Sequence, residues 1–110
     1  MPTAEEVRSY MQEMPQRFLP EKAQDLDTTI QLNLSGDNGG QWWFRIADGK
    51  CEVHEGTVDN PAMTLNASAD DLYSVFTGET NAVAAFMQGK IKVGGDMSLA
   101  IKMQTMFDFG

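Results

Sequence analysis

Four stretches of this chain alternate apolar and polar residues with a period of two. Ile30, Leu32 and Leu34 alternate with Gln31, Asn33 and Ser35; Trp42, Phe44 and Ile46 with Trp43 and Arg45; Cys51 and Val53 with Lys50, Glu52 and His54; Met63, Leu65 and Ala67 with Thr64 and Asn66. Successive side chains of an extended strand point to opposite sides, so each stretch predicts a strand with one buried and one wet face. Ile91-Lys92-Val93 is a short fifth. Gly36-Asp37-Asn38-Gly39-Gly40 reads as a hairpin loop, and Asp48-Gly49 as a tight turn that needs positive φ. These turns join the first three strands as a meander, and a sheet with one apolar face needs helices to cover it.

Outside these stretches the period is helical. Thr3 and Glu6 have capping-box spacing, and Val7, Tyr10, Met11 and Met14 form a narrow apolar stripe behind them. Pro15 lacks an N–H and disfavours helical geometry at Met14, so this helix is expected to end or kink there before Phe18-Leu19-Pro20 crosses the core. Pro20 can start one more short turn. A second helix opens on Ser68 with Asp71 at its third position, buries Leu72, Tyr73, Val75 and Phe76, and stops at Gly78. A third, from about Asn81 to Gln88, carries Ala82, Val83, Ala84, Ala85, Phe86 and Met87 nearly all round its axis, which predicts burial on several sides. In the last helix Met97, Leu99, Ala100, Ile101, Met103, Met106 and Phe107 cover well over half the circle, leaving Ser98, Lys102 and Thr105 a narrow wet side. Gln104 falls inside that apolar arc, where a buried amide without a partner costs about 1–3 kcal/mol.

The last two arcs are wider than a one-sided core requires. Helices folded between layers, a dimer interface, and a cavity for an apolar ligand each account for them. Eight methionines, with Met97, Met103 and Met106 on one helix, suit a pocket that fits variable shapes, and serve equally as core filler.

Composition narrows the function. A chain of 110 residues, 42% hydrophobic, makes one domain, residues 1–110. Lys+Arg 8 against Asp+Glu 16 gives a net charge of −8, which repels phosphate backbones and anionic bilayers at short range, so nucleic acid is not an expected partner. A single cysteine, Cys51, excludes an intrachain disulfide and fits a reducing compartment. No apolar run approaches the ~20 residues that span a bilayer, and Met1-Pro2-Thr3-Ala4-Glu5-Glu6 is acidic where a signal peptide is basic. The expected location is cytoplasmic. Cys51 and His54 lie three apart on a strand and project to opposite faces, so they cannot act as a nucleophile and base pair. Asp70 and Asp71 suit a helix start without acid–base chemistry. One His and one Cys fall short of a metal-ligand set, and the glycines lack phosphate-loop spacing. No catalysis and no cofactor are expected.

The segment "GKIKVGGD" followed by "MSLAIKMQ" resembles the C-terminal signature of the sterol carrier protein type 2 family, lipid-binding domains of about this length. Upstream, "FRIADGKCEVHEG" and "DNPAMTLNASADDLYSVFTGETNAVAAFMQGKIKV" are similar to that family's order of elements. The resemblance spans about Thr28 to Phe107 and is specific from Pro61 onward. It implies an α+β fold: a five-stranded, mostly antiparallel sheet with helices covering one face and an internal hydrophobic tunnel closed by the C-terminal helix. The wide apolar arcs would then line a lipid cavity. It also nominates ligand-binding residues, namely Leu34, Phe44, Ile46, Phe76, Phe86, Met103 and Met106. Gln104 matches a glutamine in the family's C-terminal motif and would meet a ligand head group, unless it bonds backbone or buried water. Lys90 and Lys92 would meet a phosphate or carboxylate near the mouth, or simply keep an edge strand soluble.

The chain ends Asp108-Phe109-Gly110 where better-known eukaryotic members have a peroxisomal tripeptide, so neither peroxisomal delivery by that signal nor a fused catalytic domain is expected. The resemblance implies a domain that binds and transfers a lipid or lipid-like ligand (fatty acid, acyl thioester, sterol or phospholipid), with transient membrane contact, as a monomer or homodimer. The alternative is an accessory or dimerisation module that docks on a lipid-metabolising enzyme.

Overall fold

In the computed structural model, which describes residues 2–108, the expected cap opens helix α1 (Ala4–Arg17). The Glu6 N–H donates to Thr3 Oγ1 and the Thr3 N–H donates to Glu6 Oε1, both at 3.1 Å. Met1, Phe109 and Gly110 lie outside the described residues, and with the last two goes most of the C-terminal tripeptide considered above. Val7, Tyr10, Met11 and Met14 are buried together.

Pro15 does not end α1, which runs on to Arg17. A proline this near the C-terminus removes one N–H while the chain beyond it is held elsewhere. Phe18 forms a β-bridge with Phe107, the Leu19 N–H donates to the Met106 carbonyl at 2.7 Å, and the Asp108 N–H donates to the Arg17 carbonyl at 2.8 Å. Helix-end carbonyls are thus satisfied and Phe18 is buried, which outweighs the local preference. A 3₁₀ turn follows at Pro20–Lys22.

The strands are β1 (Asp27–Ser35), β2 (Gly40–Ala47), β3 (Lys50–Glu55), β4 (Met63–Ser68) and β5 (Ile91–Gly95), with helices α2 (Ala69–Phe76) and α3 (Ala82–Met87) before β5 and α4 (Met97–Met106) after it. Asp48 and Gly49 take φ of 54° and 71°, the mirror-image turn that their sequence predicts. The sheet order is β3-β2-β1-β4-β5. The β1/β2, β2/β3 and β4/β5 pairs are antiparallel and β1/β4 is parallel, so the expected five-stranded, mostly antiparallel α+β fold is present.

The parallel pair requires the chain to return from the end of β3 to the start of β4, and this connection passes over the sheet's polar face at Gln31. Gln31 Nε2 donates to the Trp42 and Gly56 carbonyls, both at 3.1 Å, and Gln31 Oε1 accepts the Val58 N–H at 3.0 Å. Alternation places Gln31 on a wet face; the crossing connection buries it to 5% exposure.

Helices pack on the other face, in two groups. α1 lies over β3 and its neighbours, where Trp42, Phe44 and Ile46 are buried, while α2, α3 and α4 lie over β4 and β5. Gly95 links β5 to α4 at φ +88°, where a Cβ would sit 2.5 Å from the Ala62 carbonyl oxygen. Only glycine permits this approach, which brings the Asp96 N–H within 3.0 Å of that same oxygen. α3 differs from its expectation: Ala85 is its only fully buried residue, and Val83, Phe86 and Met87 are exposed. Six residues resting on β5 through one alanine cannot be covered on several sides.

Candidate functional site

The second helical group does not fill the space above β4 and β5. Met63 and Leu65 from β4 and Ile91 and Val93 from β5 form the floor of a cavity of about 260 Å³. Its walls are Leu72, Val75 and Phe76 of α2; Ala82, Val83 and Phe86 of α3; and Met97, Ala100, Ile101, Met103 and Gln104 of α4. The caps explain why these short helices begin where they do. Ser68 Oγ accepts the Asp71 N–H at 3.1 Å, Asn81 Oδ1 accepts the Val83 and Ala84 N–H groups at 2.9 and 3.1 Å, and Asp96 Oδ1 accepts those of Ser98 and Leu99 at 2.9 and 3.2 Å. With each start fixed, the 3.6-residue period turns one arc of every helix toward β4 and β5.

The lining contains no charged side chain and one amide, so the interior favours an uncharged chain over any ionised group. Val83, Phe86, Met97 and Ile101 are both lining and exposed, and mark the mouth. Gln104 also stands on the cavity wall, but it is exposed. Its amide reaches solvent, and the desolvation cost expected from the helical wheel does not arise.

Of the residues nominated from the sequence, Phe76, Phe86, Met103 and Gln104 are brought together around this cavity. Leu34, Phe44, Ile46 and Met106 are not. Leu34 borders a small void with Val7, Tyr10 and Met11. Phe44 is fully buried with its ring 6.0 Å from that of Phe107, Ile46 pairs with Cys51, and Met106 packs in the core where α4 meets the chain after α1. The physical reason is strand order: β1 and β2 lie on the side of the sheet toward β3 and α1, whereas the open space lies over β4 and β5 at the other edge. Phe76 marks the boundary, its ring stacked on Tyr10 at 5.3 Å. The sheet and α2 walls not nominated, Met63, Leu65, Leu72, Val75, Ile91 and Val93, carry no signal that separates a cavity wall from ordinary core. Val83, Met97, Ala100 and Ile101 do carry one, as surplus apolar positions on α3 and α4.

Cys51 and His54 lie on opposite faces of β3. The Cys51 thiol is buried, and burial together with the neighbouring Glu52 charge pushes it up to about 12. His54 stacks on Trp43 on the polar face, with ring centroids 4.4 Å apart. Among the described residues, no group of three or more His, Cys, Asp or Glu is arranged to hold a metal ion, and no helix is long and apolar enough to cross a membrane.

Residues 11–108 match the model of the SCP-2 sterol transfer family. Hydroxysteroid dehydrogenase-like protein 2 of Xenopus tropicalis is 36% identical over 75 residues, covering 67% of this chain and 18% of that protein. The chain spans about a fifth of the length of the curated relatives it matches. Among solved structures, the sterol carrier protein domain 2 of Helicoverpa armigera is similar with a TM-score of 0.74 and 29% identity, covering 90% of this chain and 83% of that one. The palmitated SCP2L2 of Aedes aegypti is similar with a TM-score of 0.72 and 25% identity, covering 93% and 91%.

Proposed function

This chain belongs to the SCP-2 sterol transfer family, and from that premise we propose that it binds a lipid-like molecule by drawing one apolar chain into the cavity between β4, β5 and helices α2–α4, without catalysing a reaction on it. The observation that carries this reading is the apolar cavity of about 260 Å³ with an exposed mouth. Ligand pockets commonly occupy ~300–1,000 Å³, so this one is at the small end and suits a single acyl chain better than both tails of a phospholipid. The palmitated state of the Aedes aegypti neighbour supports a fatty acyl ligand. A carboxylate or thioester head group would stay at the mouth, beside Gln104. Phe76, Phe86 and Met103 would contact the chain; Leu34, Phe44, Ile46 and Met106 would support the fold around it.

Burying about twelve methylenes at ~0.8 kcal/mol each contributes roughly 10 kcal/mol. Association costs of at least ~4 kcal/mol leave affinity in the tens of micromolar. Such weak retention suits a carrier that must also release its cargo. The length of the matched relatives favours a second role, in which the domain presents lipid to a fused or docked enzyme.

Native mass spectrometry of the purified protein, with fluorescent fatty acid titration, tests the reading. A lipid-sized adduct or saturable probe binding is expected, and Ala100→Trp, which places an indole in the cavity, is expected to weaken probe binding at least tenfold. Unchanged binding in a folded Ala100→Trp variant would place the ligand elsewhere.

A further inference from the structure

We infer that Phe76, backed by Leu72, closes the inner end of the cavity and sets the longest acyl chain that it admits. The inference rests on the cavity function proposed above and deepens it, from the class of ligand to the length of its chain.

Two spaces meet at α2. On one side lies the cavity over β4 and β5; on the other, between α1, α2 and β1, is an apolar gap lined by Val7, Tyr10, Met11, Leu34, Ala69 and Tyr73, with no room for a water molecule. Among the described residues, Leu72 and Phe76 alone line both. They stand four apart on α2, so their side chains lie one above the other on one helix face, and both are buried, at 2% and 3% exposure. The sheet runs on beneath them. Leu65 of the cavity floor pairs with Leu32, and Leu34, two residues further along the same face of β1, borders the gap.

Tyr10 of α1 holds this partition. Its ring is stacked on that of Phe76, with centroids 5.3 Å apart and planes 8° from parallel, and its hydroxyl donates to the Phe76 carbonyl at 2.6 Å. Ring and backbone of Phe76 are thus fixed from the far side, which keeps an acyl chain entering between α3 and α4 from pushing through. The hydrogen bond is to backbone, so a substitution at Phe76 leaves it in place and removes only the ring.

The consequence is a limit in chain length. While a longer chain still finds apolar wall, each added methylene buries surface and raises affinity about fourfold. Once the chain end meets the Phe76 ring, the next methylene either stays at the mouth in water or requires the stack with Tyr10 to open, and affinity levels off. The α2 wall of the cavity carries no polar side chain, so length is read there by steric contact alone.

Displacement of a fluorescent fatty acid by the saturated series from octanoate to stearate, each below its micellar concentration, tests the partition. Affinity of the unsubstituted protein is expected to climb about fourfold per methylene and then level at one chain length. Phe76→Ala takes away the ring and joins the gap to the cavity, so the levelling point is expected to move out by at least ~4 methylenes. Phe76→Leu, a milder change to the core that decides the matter if Phe76→Ala does not fold, should move it in the same direction by less. Phe44→Leu, at a buried ring that lines neither space, is the control: it is expected to lower the melting temperature without moving the levelling point. A levelling point unmoved in a folded Phe76 variant, moved equally by Phe44→Leu, or absent from the unsubstituted series would each overturn the partition. A folded, unsubstituted protein that binds no member of the series would instead overturn the cavity function.

Discussion

Gln31 holds the β3–β4 connection against the sheet with one side chain. Its amide is placed to donate to the Trp42 and Gly56 carbonyls and accept from Val58, so an apolar replacement leaves several buried backbone groups without partners. Gln31→Leu is expected to cost about 3 kcal/mol, read as a lowered urea midpoint at unchanged m. Cys51 governs stability at high pH. Its thiol is raised from 9.0 to about 12 in the folded protein, so its contribution is fully present below pH 9 and is lost as pH rises from there toward 12. Tyr10, raised above 10.0 chiefly by burial, acts in the same direction at higher pH. Unfolding free energy is expected to fall with a slope of up to ~1.4 kcal/mol per pH unit per group, and Cys51→Ala should remove the part that begins near pH 9. An alkaline denaturation series on both proteins measures this. Alternation along β1 could not reveal that Gln31 is buried, because the covering segment is remote in sequence. Cys51, by contrast, is placed on the inner face by β3 alone.

Among the elements, α4 shows how a cavity wall is kept in place. Asp96 fixes its start, Leu99, Met103 and Met106 bury one side, and Phe107 fastens its end between Phe18 at 5.6 Å and Phe44 at 6.0 Å. Phe107→Ala is expected to cost roughly 3–5 kcal/mol and to speed hydrogen exchange at the Leu19 amide, which donates to Met106. An unchanged Leu19 exchange rate would show that the wall is anchored otherwise. The same clasp explains why α1 runs through Pro15. The capping signals at Thr3 and Ser68 are local and legible in the sequence, whereas the Asp96 cap of α4 is seen only in the structure; the continuation to Arg17 is not local either, because it depends on pairing with residues some ninety positions away.

At the scale of the molecule, strand order divides the core into a filled half under α1 and an open half under α2–α4. It also gathers the lysines of the last thirty residues with the exposed apolar side chains, so a net charge of −8 describes the chain but not the surface at the mouth.

Periodicity and turn chemistry by themselves determined the five strands, the four helices, the caps of α1 and α2 and the inward set of each strand, because these depend on backbone geometry repeating over a few residues. The family signature from Pro61 onward added the architecture. Only the tertiary structure decided where the cavity lies, which of the inward residues line it, that Gln31 is covered, and that α3 is largely exposed. Those outcomes follow from which strand lies beside which and from where a seven-residue connection crosses, distances set between segments far apart in the chain. No local pattern encodes them, and so Phe44 and Phe76, alike in sequence as buried aromatics, stand on different sides of that division.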